Sequence, residues 1–134
     1  MKVLLDTHIL LWYFDDDPKL PLEAHKIIND NENEIYYSSL SIFEVELKHM
    51  NRPDQMPFTG EEIIAYCAES DFKCLALNDY HTLALKNLMR KENTPQHRDP
   101  FDRLMLCQAI VEDMKFMTHD ERIAEYVTDA VCKI

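Results

Sequence analysis

Five carboxylates stand at positions where an α/β chain gathers its chemistry. Asp6 ends the first apolar run, and Glu44 sits in the first turn of the helix expected after Ile35-Tyr36-Tyr37. Asp99 and Asp102 open a long apolar helix, and Asp120 follows Phe116-Met117-Thr118. Hard divalent cations take oxygen ligands, and Mg²⁺ or Mn²⁺ is commonly held by a few carboxylates together with waters and substrate phosphates. Five acids brought to one rim without a cation would repel one another and raise some of their own pKa values. A bound cation removes that penalty, activates water and stabilises charge at a phosphoryl centre.

Each acid also has a purely structural reading. Asp6 could cap the next helix, Ser41 with Glu44 fits a capping box, Asp120 could cap the last helix, and Asp99 before Pro100 is a strong N-cap signature. Asp102 lies at the third helical position, where an acid suits the macrodipole but caps nothing. Ser, Thr or Asn would cap equally well at every one of these places, so the recurrence of carboxylates points to a shared role.

Other residues define what that role could be. His8, His25, His49, His81, His97 and His119 show no H-E-x-x-H spacing, which excludes a zincin. His8 and His119 flank candidate acids and read as surface or packing residues. The Trp12-Tyr13-Phe14 block reads as core or as a partner-binding surface before base stacking. Arg90, Lys91, Arg98 and Arg103 surround the loop that delivers Asp99 and Asp102. They offer either a phosphate-contacting edge beside a metal or a solvated loop. Lys48, one turn beyond Glu44, could pair with that acid or face a substrate.

The elements that must position these residues follow from periodicity and breakers. Lys2 to Asp6 reads as a strand, Ile9 to Phe14 as a helix closed by Asp15-Asp16-Asp17-Pro18, and Pro21 to Asn29 as a second helix. A strand at 35–37 leads into a helix that ends near Asn51-Arg52-Pro53. Thr59 to Asp71 is helical, Phe72 to Leu77 is a third strand, and Asp79 to Lys91 is helical again. The polar stretch Glu92 to Arg98 is a loop before the helix that opens at Asp99-Pro100. A strand at 116–118, a helix from Asp120 to Tyr126 and a strand from Ala130 to Ile134 complete the chain. Strands alternating with helices predict a parallel sheet covered on both faces, with the ligand site outside the carboxyl ends of the strands.

Composition bounds the function. The chain has 134 residues, 46% of them hydrophobic and 29% charged, in the range of a globular chain. We expect a single domain over 1–134 with no membrane span, since no apolar run approaches the ~20 residues that one requires. Gly60 is the only glycine, which excludes a Walker A loop and a Rossmann fingerprint. The net charge of −11 would repel a phosphate backbone unless a cation neutralises the gathered acids. Cys67, Cys74, Cys107 and Cys132 form no C-x-x-C pair and read as buried thiols in a reducing compartment. The N-terminus reaches an acid too early for the apolar region of a signal peptide, so the expected location is the cytoplasm.

Leu4-Leu5-Asp6-Thr7-His8, Ser41-Ile42-Phe43-Glu44-Val45, His97-Arg98-Asp99-Pro100-Phe101-Asp102-Arg103 and Thr118-His119-Asp120 resemble, in order, the motifs of PIN-domain proteins. The match is nearest the VapC-like toxin branch and spans nearly the whole chain. The H-R-D-P-F-D-R string is its most specific element, and Phe43 before the glutamate is a mild departure. The resemblance implies a PIN-like three-layer α/β/α sandwich with a central, mostly parallel sheet of four to five short strands. It implies a hydrolase, an endoribonuclease dependent on one or two Mg²⁺ or Mn²⁺ ions, with Asp6, Glu44, Asp102 and Asp120 as catalytic and metal-binding residues. Asp99 is then an additional metal-binding acid.

The same resemblance implies single-stranded or loop RNA as substrate, and products with 5′-phosphate and 3′-hydroxyl ends. It also implies a homodimer and a VapB-like antitoxin that inserts a helix or tail into an apolar groove, for which Leu10 to Phe14 and the helix from Pro21 are candidate surfaces. Two other readings compete. One is a catalytically silent PIN-fold binding module. The other is a haloacid-dehalogenase-like phosphatase using Asp6 and Ser38, a family that needs a second Asp where this chain has His8.

Overall fold

Alternation along the strands sorts the apolar residues into two cores. In the first strand, β1 (Lys2–Leu5), Val3 and Leu5 face one side of the sheet and Leu4 the other, and all three are fully buried. Successive strand side chains point to opposite faces, so a strand buried on both faces must be apolar throughout. The computed structural model describes residues 1–134. β1 lies at the centre of a five-stranded sheet with β2 (Glu34–Ser38) on one side and β4 (Lys115–Thr118) on the other. β3 (Lys73–Leu75) and β5 (Val131–Lys133) form the edges. The order is β3-β2-β1-β4-β5 and every pairing is parallel, so the mostly parallel sheet expected from the sequence is wholly parallel.

Parallel strands require crossover connections, and helices provide them. One face is covered by α1 (Thr7–Phe14), α2 (Leu22–Asn29), α3 (Ser39–Asn51) and α4 (Gly60–Glu69), whose Ile9, Leu10, Ala24, Ile28, Val45, Ile63 and Cys67 join Val3, Leu5, Ile35, Tyr37 and Met117 in one core. α6 (Pro100–Val111) and α7 (Glu121–Ala124) cover the other face, and Met105, Leu106, Ala109 and Ile123 pack there on Leu4 and Phe116. A short α5 (Asp79–Leu83) precedes the loop that reaches α6. The result is a three-layer α/β/α sandwich. No helix is long and apolar enough to cross a membrane.

Several expectations need correction. The helix expected from Asp79 to Lys91 stops at Leu83, continues as one 3₁₀ turn to Asn87, and gives way to extended chain. The following segment is drawn into pairing with the stretch after α7. Val127 N donates to Met89 O at 2.8 Å and Lys91 N to Glu125 O at 2.7 Å, and Arg90 bridges Tyr126. That pairing also ends α7 at Ala124, two residues before Tyr126. The Leu10–Phe14 block is only partly open: Leu10 is fully buried, and Leu11 to Phe14 are half-buried against the first core. Cys67 and Cys107 are buried as expected, whereas Cys74 is exposed on an edge strand and Cys132 is half-buried.

The turns are made almost without glycine. Asp16, Asp71, Asn93 and Asp113 take positive φ, between 49° and 64°, in the left-handed region that Asn and Asp tolerate best among residues with a side chain. Gly60, in contrast, is fixed by a close approach: a Cβ there would lie 2.8 Å from Glu46 Cγ.

One buried polar pair fastens α6 to the sheet. Gln108, fully buried, accepts from Ser38 Oγ at 2.6 Å and donates to Leu75 O at 3.1 Å. Ser38 also caps α3 by accepting from Leu40 N at 3.0 Å. Both groups are enclosed, so removing one partner leaves the other desolvated and unpaired. Gln108→Leu is therefore expected to lower unfolding free energy by about 2 kcal/mol, read as a lower urea midpoint at unchanged slope; an unchanged midpoint would refute the role given to the pair.

Candidate metal centre

The sheet reverses its winding between β1 and β4, and ligands of open α/β sheets bind outside the strand ends at such a point. Asp6 leaves β1 there. Its N–H donates to Met117 O at 2.9 Å, which prolongs the ladder by one residue. One carboxyl oxygen, Oδ2, accepts from Thr118 Oγ1 at 2.7 Å, while Oδ1 is buried with no protein partner. The residue is 1% exposed. Burial pushes its pKa up to about 7, with the Thr118 hydrogen bond opposing and the charges of Asp102 and Asp120 assisting. Asp6 makes no side-chain cap to α1, so the capping explanation for it fails.

Glu44 arrives from β2. Ser38 caps α3, so the helix begins earlier than the expected Ser41–Glu44 box and places Glu44 in its second turn. Glu44 Oε1 accepts from Thr7 Oγ1 at 2.8 Å, and Thr7 Oγ1 lies 2.7 Å from Ser41 Oγ. Ser41, Thr7 and Glu44 thus form a chain anchored in the core. Burial raises the Glu44 pKa against the Thr7 hydrogen bond and the Lys48 charge, and the charges of Asp102 and Asp6 add to the rise.

The third arm is the start of α6. Asp99 caps it through one oxygen, Oδ1, which accepts from Phe101 N at 2.9 Å and Asp102 N at 3.2 Å. That places Asp102 in the first turn, buried, with Oδ2 3.3 Å from His97 Nε2. His97 is held from behind by Tyr126 Oη at 3.0 Å from Nδ1. The Tyr126 ring lies under the Arg90 guanidinium, 4.6 Å from its centroid. Burial raises the Asp102 pKa, as do the neighbouring Asp99 and Asp120, while His97 opposes.

Asp120 behaves differently. It caps α7 by accepting from Arg122 N at 2.8 Å, and the Arg122 side chain donates to both carboxylate oxygens at 3.2 and 3.0 Å. Burial raises its pKa, but the bonds and charge of Arg122 outweigh that and lower it overall.

The fold therefore brings Asp6, Glu44, Asp102 and Asp120 close enough to shift one another's titration. Ligand atoms of His97, Asp102 and Asp120 lie within 4.8 Å of one another. Asp99 adjoins this set with Oδ1 committed to the cap. An orphaned buried oxygen on Asp6, oxygen donors from four acids and raised carboxyl pKa values suit a hard divalent cation better than they suit a metal-free state.

Sequence reasoning did not single out His97, Thr7 or Thr118 and took Ser41 only as a cap, although these side chains hold the acids in place. His97 lies within the H-R-D-P-F-D-R string but outside the helix, so no periodicity marks it. The two threonines each stand beside an acid at a strand end, which was the available signal. Arg90, expected at a phosphate-contacting edge, is taken up internally: it donates to Pro95 O at 3.0 Å and to Arg122 O and covers Tyr126.

Beside the acids opens a cleft of about 200 Å³ lined by Asp6, His8, Trp12, His119 and Asp120. A larger hollow of about 430 Å³ lies along Leu47, Lys48 and Arg52 and contains no acid of the set.

A family model described as PIN domain matches residues 3–128. No curated protein matches the chain in sequence. Among solved structures, the chain is similar to VapBC2 from Rickettsia felis, determined bound to a DNA fragment from their promoter, with a TM-score of 0.70 at 14% identity over 99% of this chain and 98% of that one. It is also similar to VapBC-1 from nontypeable Haemophilus influenzae, with a TM-score of 0.55 at 19% identity over 90% of this chain and 87% of that one. At such identities the likeness is one of fold.

Proposed function

The chain belongs to the PIN domain family, and from that premise we propose that it is a divalent-metal-dependent endoribonuclease, the toxin of a VapBC-like toxin–antitoxin pair acting in the cytoplasm. The observation that carries the reading is Asp6 at the switch point, buried, with one oxygen left without a partner inside a ring of further acids. Asp6, Asp102 and Asp120 would hold one or two Mg²⁺ or Mn²⁺ ions, and Glu44 would hold a second ion or orient the attacking water. The bound ion supplies a water of lowered pKa and a Lewis acid for the phosphate oxygens.

The chain's own groups do the rest. Thr7 fixes Glu44 Oε1, leaving Oε2 to face a water, and the raised pKa makes Glu44 a better proton acceptor than a solvated carboxylate. His97 orients Asp102 and is itself fixed by Tyr126, the kind of supporting shell that ligating carboxylates need. An RNA strand with an accessible backbone is the substrate this open rim suits. A VapB-like antitoxin and a homodimer belong to the same reading, supported by the VapBC likeness of the fold. Phe43, Leu47 and Met50, exposed on α3, offer an apolar face more open than the half-buried Leu11–Phe14 of the expected block.

One observation favours a silent binding module, namely that Arg122 occupies both oxygens of Asp120. Incubating a labelled single-stranded RNA pool with the purified protein in Mg²⁺, Mn²⁺ or EDTA separates the two. Metal-dependent cutting that falls by about a hundredfold or more in Asp102→Asn supports the nuclease; no cutting by folded protein with either metal supports the module. In the same assay Asp99→Asn, which keeps the cap, should retain cutting within about threefold, well inside the loss expected for a ligand. A loss equal to that of Asp102→Asn would make Asp99 a ligand of the same rank.

A further inference from the structure

The cleft beside the acids is walled by rings. Trp12 stands between two imidazoles, with its ring centroid 6.1 Å from His8 at an interplanar angle of 75° and 5.5 Å from His119 at 68°. The three rings and the carboxylates of Asp6 and Asp120 are the whole lining of this cavity of about 200 Å³. The aromatic block that the sequence presents as one unit is divided by the fold. Tyr13 and Phe14 turn toward Phe72 and Tyr66, whereas Trp12, one residue earlier, turns toward the carboxyl ends of the strands.

The polar edges of these rings are open to a ligand. His119 Nδ1 lies 2.6 Å from Ile134 O. That oxygen accepts, so Nδ1 donates to it, and no protein group hydrogen-bonds Nε2. No protein group hydrogen-bonds the Trp12 indole N–H or the His8 ring, and neither is a buried, unsatisfied group. A half-buried indole backed by the core, with ring nitrogens free of protein partners on either side, is what an unpaired base needs: a π face to stack on and edges to meet.

We propose that Trp12, flanked by His8 and His119, forms a nucleobase platform that stacks an unpaired base next to the phosphate held at the acidic centre. This rests on the ribonuclease reading and adds a specificity-determining subsite to it. Because the platform meets one base and the acids meet its phosphate, the unit recognised is a nucleotide in a single strand. A base confined in a duplex cannot turn its face to Trp12.

Trp12 is the only tryptophan in the chain, so its fluorescence reports on this cleft alone. Titration in Mg²⁺ with adenosine, guanosine, cytidine and uridine 5′-monophosphates should quench that emission in a saturable way, and ribose 5-phosphate, which has no base, should not. In parallel, Trp12→Leu, which keeps apolar volume and removes the stacking face, should cut single-stranded RNA about 5- to 100-fold less efficiently, mainly through KM. On RNA made abasic at the position next to the cut, that variant and the unmodified chain should cut alike. Absence of quenching by all four nucleotides overturns the platform, as does an equal loss on intact and abasic RNA, which would mark Trp12 as structural. Failure of the ribonuclease reading shows separately, as absence of cutting by the unmodified chain, and quenching is read without any cutting.

Discussion

Replacing Asp6 with Asn should abolish metal-dependent RNA cutting, by about a thousandfold or more, and at the same time make the metal-free protein more stable. Most substitutions of a fully buried polar residue do the opposite. The expectation follows from the state of the carboxyl group, which is enclosed, bonded on one oxygen only and pushed up to about 7. An uncompensated buried charge is destabilising. Asn keeps an acceptor for Thr118 and removes the charge, at the cost of one buried amide group without a partner. The net gain at pH 8 in EDTA should be about 2 kcal/mol, measurable by urea unfolding. A variant that loses both activity and stability would show Asp6 to be structural, and one that keeps activity would overturn its assignment to the centre.

The same group sets a pH dependence with a definite sign. In the unfolded chain Asp6 titrates near 3.8 and in the folded, metal-free chain near 7. Below pH 4 it is protonated in both states and costs nothing. Between about pH 4 and 7 the unfolded chain has released a proton that the folded chain still holds. Stability therefore falls as pH rises, and the loss levels off above 7 at about 4 kcal/mol for this group. Glu44 and Asp102, whose pKa values are also raised, act in the same direction. Asp120, lowered overall, contributes stability that is lost only as pH falls through the acid range.

In EDTA the protein should accordingly unfold at lower urea at pH 8 than at pH 5. Mg²⁺ or Mn²⁺ should restore most of the difference, because a ligand that binds only the folded state stabilises it by mass action. Asp6→Asn, with no charge to neutralise, should lose both the pH dependence due to this group and most of the metal effect. Equal urea midpoints at pH 5 and 8 in EDTA would contradict the burial described for Asp6.

Much of this was legible in the sequence, and the reasons differ from residue to residue. The strands of an all-parallel sheet are apolar on both faces, so Val3-Leu4-Leu5 and Phe116-Met117 announce themselves, and the acids that follow them are placed by topology alone. Asp99 before Pro100 and Asp102 three residues on are fixed by helix geometry. Glu44 was harder, because Ser38, Ser39 and Ser41 are all competent caps, and only the tertiary bond from Ser38 to Gln108 decides which one is used. Contacts between distant segments left no local mark. The pairing of 89–91 with 125–127 overrode helical periodicity in both, and the His97–Tyr126 bond joins residues 29 positions apart. Trp12 could not be separated from Tyr13 and Phe14 by pattern, since all three lie in one helical turn and only the fold shows that they face different neighbours.

The aspartates at positive φ bear on how a polyanion could approach a chain with a net charge of −11. Asp71 and Asp113 terminate helices two residues before β3 and β4 begin. In an all-parallel sheet, every strand begins at the same edge. Asp30, Glu32 and Asp129 also precede β2 and β5, so that edge collects acids that outnumber Lys2, Lys73 and Lys115 beside them. That edge is thus acidic without being the candidate metal centre, which lies outside the opposite, carboxyl ends of the strands. Under the ribonuclease reading, RNA would meet repulsion at that rear edge and cation-neutralised acids only at the strand ends, so the rear edge would disfavour unproductive approaches.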